Sequence, residues 1–159
     1  VSQLTEQSFV FGNQQIPGKF VFLSRRYVFA MVTSKPVTVG HVIICPTRPV
    51  DFMKELNELE MLELFVTAKE VARKFEEKFR VKNFMILIQD GESSGQVRLS
   101  EGDDRPSVCV QLIPLDDEKT DISKQFTIAQ RYDRASAKQE EEAKRYRGLF
   151  ESSTQSALM

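Results

Sequence analysis

The chain has no tryptophan, one histidine and two cysteines among its 159 residues. Two cysteines, Cys45 and Cys109, are too few for a disulfide framework, and they have no C-x-x-C spacing, a usage that suits a reducing compartment. Long hydrophobic runs are missing as well. Phe20 to Leu23 and Tyr27 to Val32 fall far short of the roughly 20 apolar residues that span a bilayer, so no membrane association is expected. Charge of one sign is also lacking: 22 Lys and Arg stand against 23 Asp and Glu, for a net charge of -1. That balance gives no field to steer the protein onto nucleic acid, and general nucleic-acid binding is not indicated. There is no internal repeat, and the only low-complexity stretch is the polar tail from Ser152. What remains is a chain that is 41% hydrophobic, enough for one substantial core, and a soluble intracellular protein is the expectation. The chain begins at Val1 rather than Met, which leaves a preceding targeting segment open.

Phe9 to Phe11, Phe20 to Leu23, Tyr27 to Val32 and His41 to Cys45 are short runs rich in aromatic and β-branched residues. Gly12, Pro17, Gly18, Pro36 and Gly40 separate them, so they read as successive antiparallel strands. From Asn57 to Phe79 the apolar positions Leu62, Phe65, Ala68, Ala72, Phe75 and Phe79 recur every three or four residues, which predicts a long amphipathic helix. Asn83 to Ile88 returns to a strand. Ser107 to Ile113 alternates Val108, Val110 and Leu112 with Ser107, Cys109 and Gln111, a strand with two unlike faces. Gly91 to Pro106, rich in Gly, Ser and acidic residues, should be a surface loop. Asp116 to Ala129 has no clear period and reads as an extended connection. From Ser136 a terminal helix is expected, with Glu140–Lys144 and Glu141–Arg145 pairs in the favourable order. Its apolar edge of Tyr146, Leu149 and Phe150 is narrow, so a solvated helix docked by its last turns and a partner-binding helix over 136–150 both stay open. The order of elements indicates an α+β domain with helices on one side of an antiparallel sheet.

Phe29-Ala30-Met31-Val32 with Lys35-Pro36, then Gly40 to Pro46 and Arg48-Pro49-Val50, resembles the front half of the fragile-histidine-triad branch of the histidine-triad (HIT) superfamily. Gln89-Asp90-Gly91 with Gly95-Gln96 is similar to the segment leading into that family's active strand. The likeness runs from about Phe11 to Pro114. It implies a HIT-like fold: a five-stranded antiparallel sheet with a long helix and a C-terminal helix. The expected division is a HIT-like domain over 1–115, a polar connection over 116–135, and a C-terminal helix and tail over 136–159. The resemblance further implies a homodimer, a purine nucleotide as ligand, and neither a resident metal nor another cofactor.

The family's active strand carries three histidines alternating with apolar residues and ends in proline. The equivalent stretch here reads Ser107-Val108-Cys109-Val110-Gln111-Leu112-Ile113-Pro114, so all three positions are changed. The middle family histidine attacks phosphorus, a role that would fall on Cys109, with Ser107 and Gln111 beside it. A neutral imidazole is a nucleophile near pH 7, whereas an ordinary thiol is mostly protonated there and needs a base or cation nearby. His41 is the only histidine available, either as that base or as a hydrogen-bonded structural residue. The leading expectation is therefore a catalytically inactive domain that binds nucleotide or serves in a larger assembly. The alternative is a hydrolase of dinucleoside polyphosphates that uses Cys109.

For binding, the resemblance places the base against Phe11, Ile16, Met31 and Ile43, the ribose at Thr33, and phosphate at Gln89, Ser107 and Gln111. Apolar residues at strand spacing are more often core than pocket. Thr33 offers one hydroxyl where the family usually has Asn or Asp. Glu101, Asp103 and Asp104, in a loop longer than the family's, would repel a polyphosphate unless a divalent cation bridged them; a solvated loop is the other reading.

Overall fold

The computed structural model describes residues 3–96, 105–115 and 135–157, with side chains as far as Glu151. The acidic loop residues Glu101, Asp103 and Asp104 and the connection over 116–134 lie outside the described residues.

Seven strands are described: β1 (Ser8–Phe11), β2 (Gln14–Pro17), β3 (Val21–Ser24), β4 (Val28–Val32), β5 (Val42–Pro46), β6 (Asn83–Ile88) and β7 (Val110–Leu115). Two long helices accompany them, α1 (Glu58–Phe79) and α2 (Ser136–Ala157). The main sheet is five-stranded and antiparallel, in the order β3-β4-β5-β7-β6. This is the α+β architecture that the pattern and the resemblance indicate.

Several local expectations need correction. Phe9 to Phe11 does not continue into the main sheet. It pairs with Gln14–Pro17, a strand too polar to stand out in the sequence, and forms a separate hairpin. Gly12 makes that turn possible: its φ is +61°, and a Cβ there would sit 1.6 Å from the carbonyl oxygen of Arg105. The last strand begins at Val110 rather than Ser107. Just before it, the Val108 N–H donates to the carbonyl of Val50 at 2.8 Å, so this stretch is bonded to the segment after β5 rather than within the sheet ladder.

The two faces of the sheet bury different partners. On one side Phe22, Val28, Ala30, Val32, Val42, Ile44, Val110 and Leu112 pack against Leu64, Ala68, Val71 and Phe75 of α1 and Ala143 and Tyr146 of α2. On the other side Val21, Phe29, Met31, Ile43, Cys45 and Cys109 pack against Phe9, Phe11 and Ile16 of the hairpin. The period-two alternation of the strands builds both cores at once.

Helix α1 starts with a capping box. The Glu60 N–H donates to Asn57 Oδ1 at 2.9 Å, and the Asn57 N–H donates to Glu60 Oε1 at 3.1 Å. It ends on Arg80 in the left-handed conformation. The buried stripe is Leu64, Thr67, Ala68, Val71 and Phe75, whereas Leu62 (62% exposed) and Phe65 (43%) face away from it. The expected face is thus rotated, because α1 carries apolar residues over more than half its circumference near its start. Helix α2 is more than a solvated helix held at its end. Tyr146 is 1% exposed and lies among the rings of Phe22, Phe75 and Phe79 at centroid distances of 5.5, 4.8 and 6.1 Å. Burying such a ring contributes about 1.5–3 kcal/mol. Among the described residues no helix is long and apolar enough to cross a membrane.

Candidate functional site

Strand β7, which carries Gln111 and follows directly on Cys109, lies between β5 and β6. Gln111 is registered against Ile43 on one side and Leu87 on the other. His41 comes just before β5, after Gly40, whose φ of +89° and close approach to the rings of Phe79 and Pro114 leave no room for a side chain. The imidazole of His41 is buried, 1% exposed.

His41 belongs to a chain of neutral hydrogen bonds. The Val37 N–H donates to His41 Nδ1 at 3.0 Å, which makes Nδ1 an acceptor and fixes the tautomer with the proton on Nε2. Nε2 then donates to Gln111 Oε1 at 3.0 Å. Gln111 Nε2 donates to Gln89 Oε1 at 2.8 Å, and Gln89 Nε2 donates to the carbonyl of Ser94 at 3.0 Å. Each link in the series pairs a donor with an acceptor, so the buried polar row holds together without any ionised group. Both nitrogens of His41 are committed away from Cys109. A Cys109–His41 pair, one of the two sequence readings of His41, is not what the geometry forms.

Cys109 sits instead beside Cys45, each one residue past the last paired residues Ile44 and Val110, with a hydrogen bond between the two thiols. Both are reduced and buried. The Cys45 thiol is pushed well above its ordinary value by burial, and then by the hydrogen bond and the charge of Cys109.

Of the proposed phosphate contacts, Ser107 is 2% exposed and its hydroxyl is engaged by the Val50 N–H and the Val50 carbonyl, both at 3.3 Å. Gln89 is half-buried and Gln111 is 3% exposed. Of the proposed base and ribose contacts, Phe11, Ile16, Met31 and Ile43 are brought together in the hairpin-side core. Thr33 is 5% exposed, and its hydroxyl accepts from the Lys35 N–H at 3.2 Å.

Sequence reasoning missed Arg105. Its guanidinium grips Asp51 through Nε (2.9 Å) and Nη2 (2.6 Å), while its N–H donates to Asn13 Oδ1 at 2.9 Å, joining the hairpin turn to the approach of β7. The hydrogen bond from Arg105, then its charge, hold the Asp51 carboxyl below the usual range against the opposing effect of burial. The Gln96 side chain donates to the Asp51 carbonyl at 2.8 Å and closes the same corner. No pattern in the sequence marks this contact, since Arg105 and Asp51 are 54 residues apart. Among the described residues no three His, Cys, Asp or Glu side chains gather to hold a metal.

A five-stranded antiparallel sheet with helices on one face and a polar row along β7 on the other defines a HIT-like α+β domain. Residues 13–98, more than half of the chain, match the HIT domain family. A bis(5'-adenosyl)-triphosphatase of Dictyostelium discoideum is 31% identical over 144 residues, covering 89% of this chain and 92% of that one. A bifunctional bis(5'-adenosyl)-triphosphatase/adenylylsulfatase of Arabidopsis thaliana is 28% identical over 163 residues, covering 92% and 87%. The crystal structure of the C. elegans NitFhit protein matches with a TM-score of 0.72 at 30% identity over 89% of this chain, which spans 30% of that longer chain. The chain belongs to the HIT family, in its fragile-histidine-triad branch.

Proposed function

We propose that this protein handles nucleotides bearing a phosphate chain, of the dinucleoside polyphosphate type, in the manner of the hydrolase class to which its relatives belong by name. The phosphates would lie along β7 near Gln89 and Gln111, and a purine base against the hairpin beside Phe11, Ile16, Met31 and Ile43, with Thr33 toward the ribose. The observation that carries this reading is the neutral polar row His41–Gln111–Gln89 on the face of β7 turned away from the helices. Each carboxamide nitrogen carries a second N–H beyond the one the row uses, a donor for phosphate oxygens without the charge assistance of an imidazolium.

The relatives' names favour turnover over binding alone, with Cys109 as the nucleophile in place of the family's middle histidine. Its expected rate is low, because losing a covalent nucleophile or its activating partner typically costs a factor of about 10⁴ to 10⁶. Binding without turnover is the second reading. It is favoured by the commitment of His41 to Gln111, which leaves Cys109 without that base. Incubation with diadenosine triphosphate separates the two. AMP and ADP production that disappears in Cys109→Ser supports the hydrolase, whereas calorimetric binding with no product supports the inactive domain. No heat with AMP or ADP at millimolar concentration would remove the nucleotide reading altogether and leave an interaction module.

A homodimer is part of the proposal. Strand β6 is an edge of the sheet, and on its helix side Ile86 is 54% exposed, as are Leu62 (62%) and Phe65 (43%) on α1. An exposed edge strand and an apolar helix face are each the kind of surface that a second copy covers. For a protein partner along 136–150, contacts would fall on the outward residues of α2, since Ala143 and Tyr146 are already buried in the core.

A further inference from the structure

Cys45 of β5 and Cys109, the residue before β7, each lie one residue past the last paired residues Ile44 and Val110, pack in the same core cluster and share a hydrogen bond between their thiols. An antiparallel register continued by that one residue would put their Cα atoms about 4.5 or 5.5 Å apart, and both spacings fall within the roughly 4.4–6.8 Å that a disulfide accepts. Beyond this point the next residue of β5 is Pro46, which has no N–H to give to the ladder, so the two strands can adjust there without breaking a bond donated by that residue. We propose that Cys45 and Cys109 form an oxidisable cross-strand pair, which a peroxide converts to an intramolecular disulfide in the folded protein. The oxidant is hydrogen peroxide.

The chemistry follows from the environment of each sulfur. Cys109 is the more accessible of the two, 5% exposed against 1% for Cys45. Burial and the neighbouring Cys109 raise the Cys45 thiol well above its ordinary value, so Cys45 is the poorer first nucleophile and the resolving thiol. The Cys109 thiolate attacks one peroxide oxygen. An S–O bond forms, the O–O bond breaks, and hydroxide leaves, giving a sulfenic acid. The Cys45 sulfur then attacks Cys109 Sγ. The S–S bond forms, the S–O bond breaks, and the departing oxygen takes the Cys45 proton and leaves as water. Two thiols are oxidised by two electrons in all, and one peroxide is reduced to two waters once the hydroxide is protonated. Access is through the hairpin, whose Phe9, Phe11 and Ile16 cover both sulfurs in the same core. The reaction is therefore slow compared with that of an exposed thiol, and it needs the hairpin to lift but not the sheet to unfold.

One consequence rests on the proposed function: a Cys109 held in a disulfide cannot attack phosphorus, so turnover through it would stop on oxidation and return on reduction. The pairing itself does not depend on nucleotide, and its test uses none. The full chain is treated with hydrogen peroxide under native conditions, then unfolded in the presence of an alkylating agent and weighed. The expected product is monomeric, carries no alkyl groups, has lost two hydrogens, and regains two alkylatable thiols after dithiothreitol. In Cys45→Ser the disulfide is absent and Cys109 instead takes up oxygen or stays a thiol. Two alkylated cysteines after peroxide, separate oxygen adducts on each, or a bridge between two chains would each overturn the proposal. So would a disulfide that forms only when peroxide is added in denaturant. If the disulfide forms while neither AMP nor diadenosine triphosphate binds, the pair stands and the nucleotide reading falls. If nucleotide binds and no disulfide forms, the reverse holds.

Discussion

His41 shows how one residue's role depends on its partners. With Val37 on Nδ1 and Gln111 on Nε2, it links the turn before β5 to β7 and, through Gln89, to the turn at Ser94. His41→Ala leaves the Gln111 carbonyl and the Val37 N–H without those partners inside the protein. A buried group left unpaired costs about 1–3 kcal/mol, so urea unfolding should show a loss of that size, and a variant as stable as the parent would refute the structural role. The opposite sign is expected at Thr67. This residue is fully buried in α1, and its hydroxyl has no hydrogen-bond partner. Thr67→Val keeps the shape and removes the unpaired hydroxyl, so the midpoint of unfolding should rise, by roughly 1 kcal/mol. A fall would mean that the hydroxyl is satisfied in solution. Neither residue's environment could be read from its neighbours in the chain. What the sequence offered was a resemblance that sets Ser107, Cys109 and Gln111 at the family's histidine positions. It did not show that Gln111 would take the imidazole of His41 or that Cys109 would meet Cys45.

At the scale of elements, α1 was the most legible part of the chain, because a 3.6-residue period sustained over 22 residues matches an amphipathic helix and neither a strand nor a loop. Its facing was less legible: apolar residues also fill the side that carries Leu62 and Phe65, and only packing against β5 and β7 decides which stripe is inside. The start of α1 carries a pH-sensitive contact. Glu60 accepts from Arg48 Nη2 at 2.7 Å as well as from the Asn57 N–H, and its side chain is 3% exposed. Burial raises its carboxyl, but the Arg48 hydrogen bond, the cap and the Arg48 charge outweigh that and leave it below the ordinary 4.5. The unfolded chain therefore binds this proton at higher pH than the folded one. The stabilisation is complete above the unfolded value and is lost as pH falls through the folded one. Thermal unfolding followed downward from roughly pH 7 should show stability declining below the ordinary carboxyl range, and Glu60→Gln should flatten part of that decline. An unchanged slope in the variant would assign the acid sensitivity elsewhere, with Asp51, whose carboxyl Arg105 also holds below its ordinary value, as the next place to look.

For the whole molecule, the layering follows from the strands' alternation: one face takes both long helices and the other takes the β1–β2 hairpin. Leu62, Phe65 and Ile86 are among the large apolar side chains that this layering leaves exposed. Sedimentation velocity at micromolar concentration should show a dimer, and Phe65→Glu with Leu62→Glu should give a folded monomer with unchanged far-ultraviolet circular dichroism. A monomeric parent protein would remove the dimer from the proposal.

The sequence by itself determined the family, the α+β class and the long helix, because these depend on residue identity and on periodicity along the chain. Tertiary structure decided which partners the residues around β7 meet. The hairpin's separation from the sheet, the neutral row from Val37 to Ser94 and the meeting of Cys45 with Cys109 depend on strand register, and the burial of Tyr146 on how α2 packs against the sheet. Register is fixed by pairing between segments far apart in sequence, which no local pattern encodes.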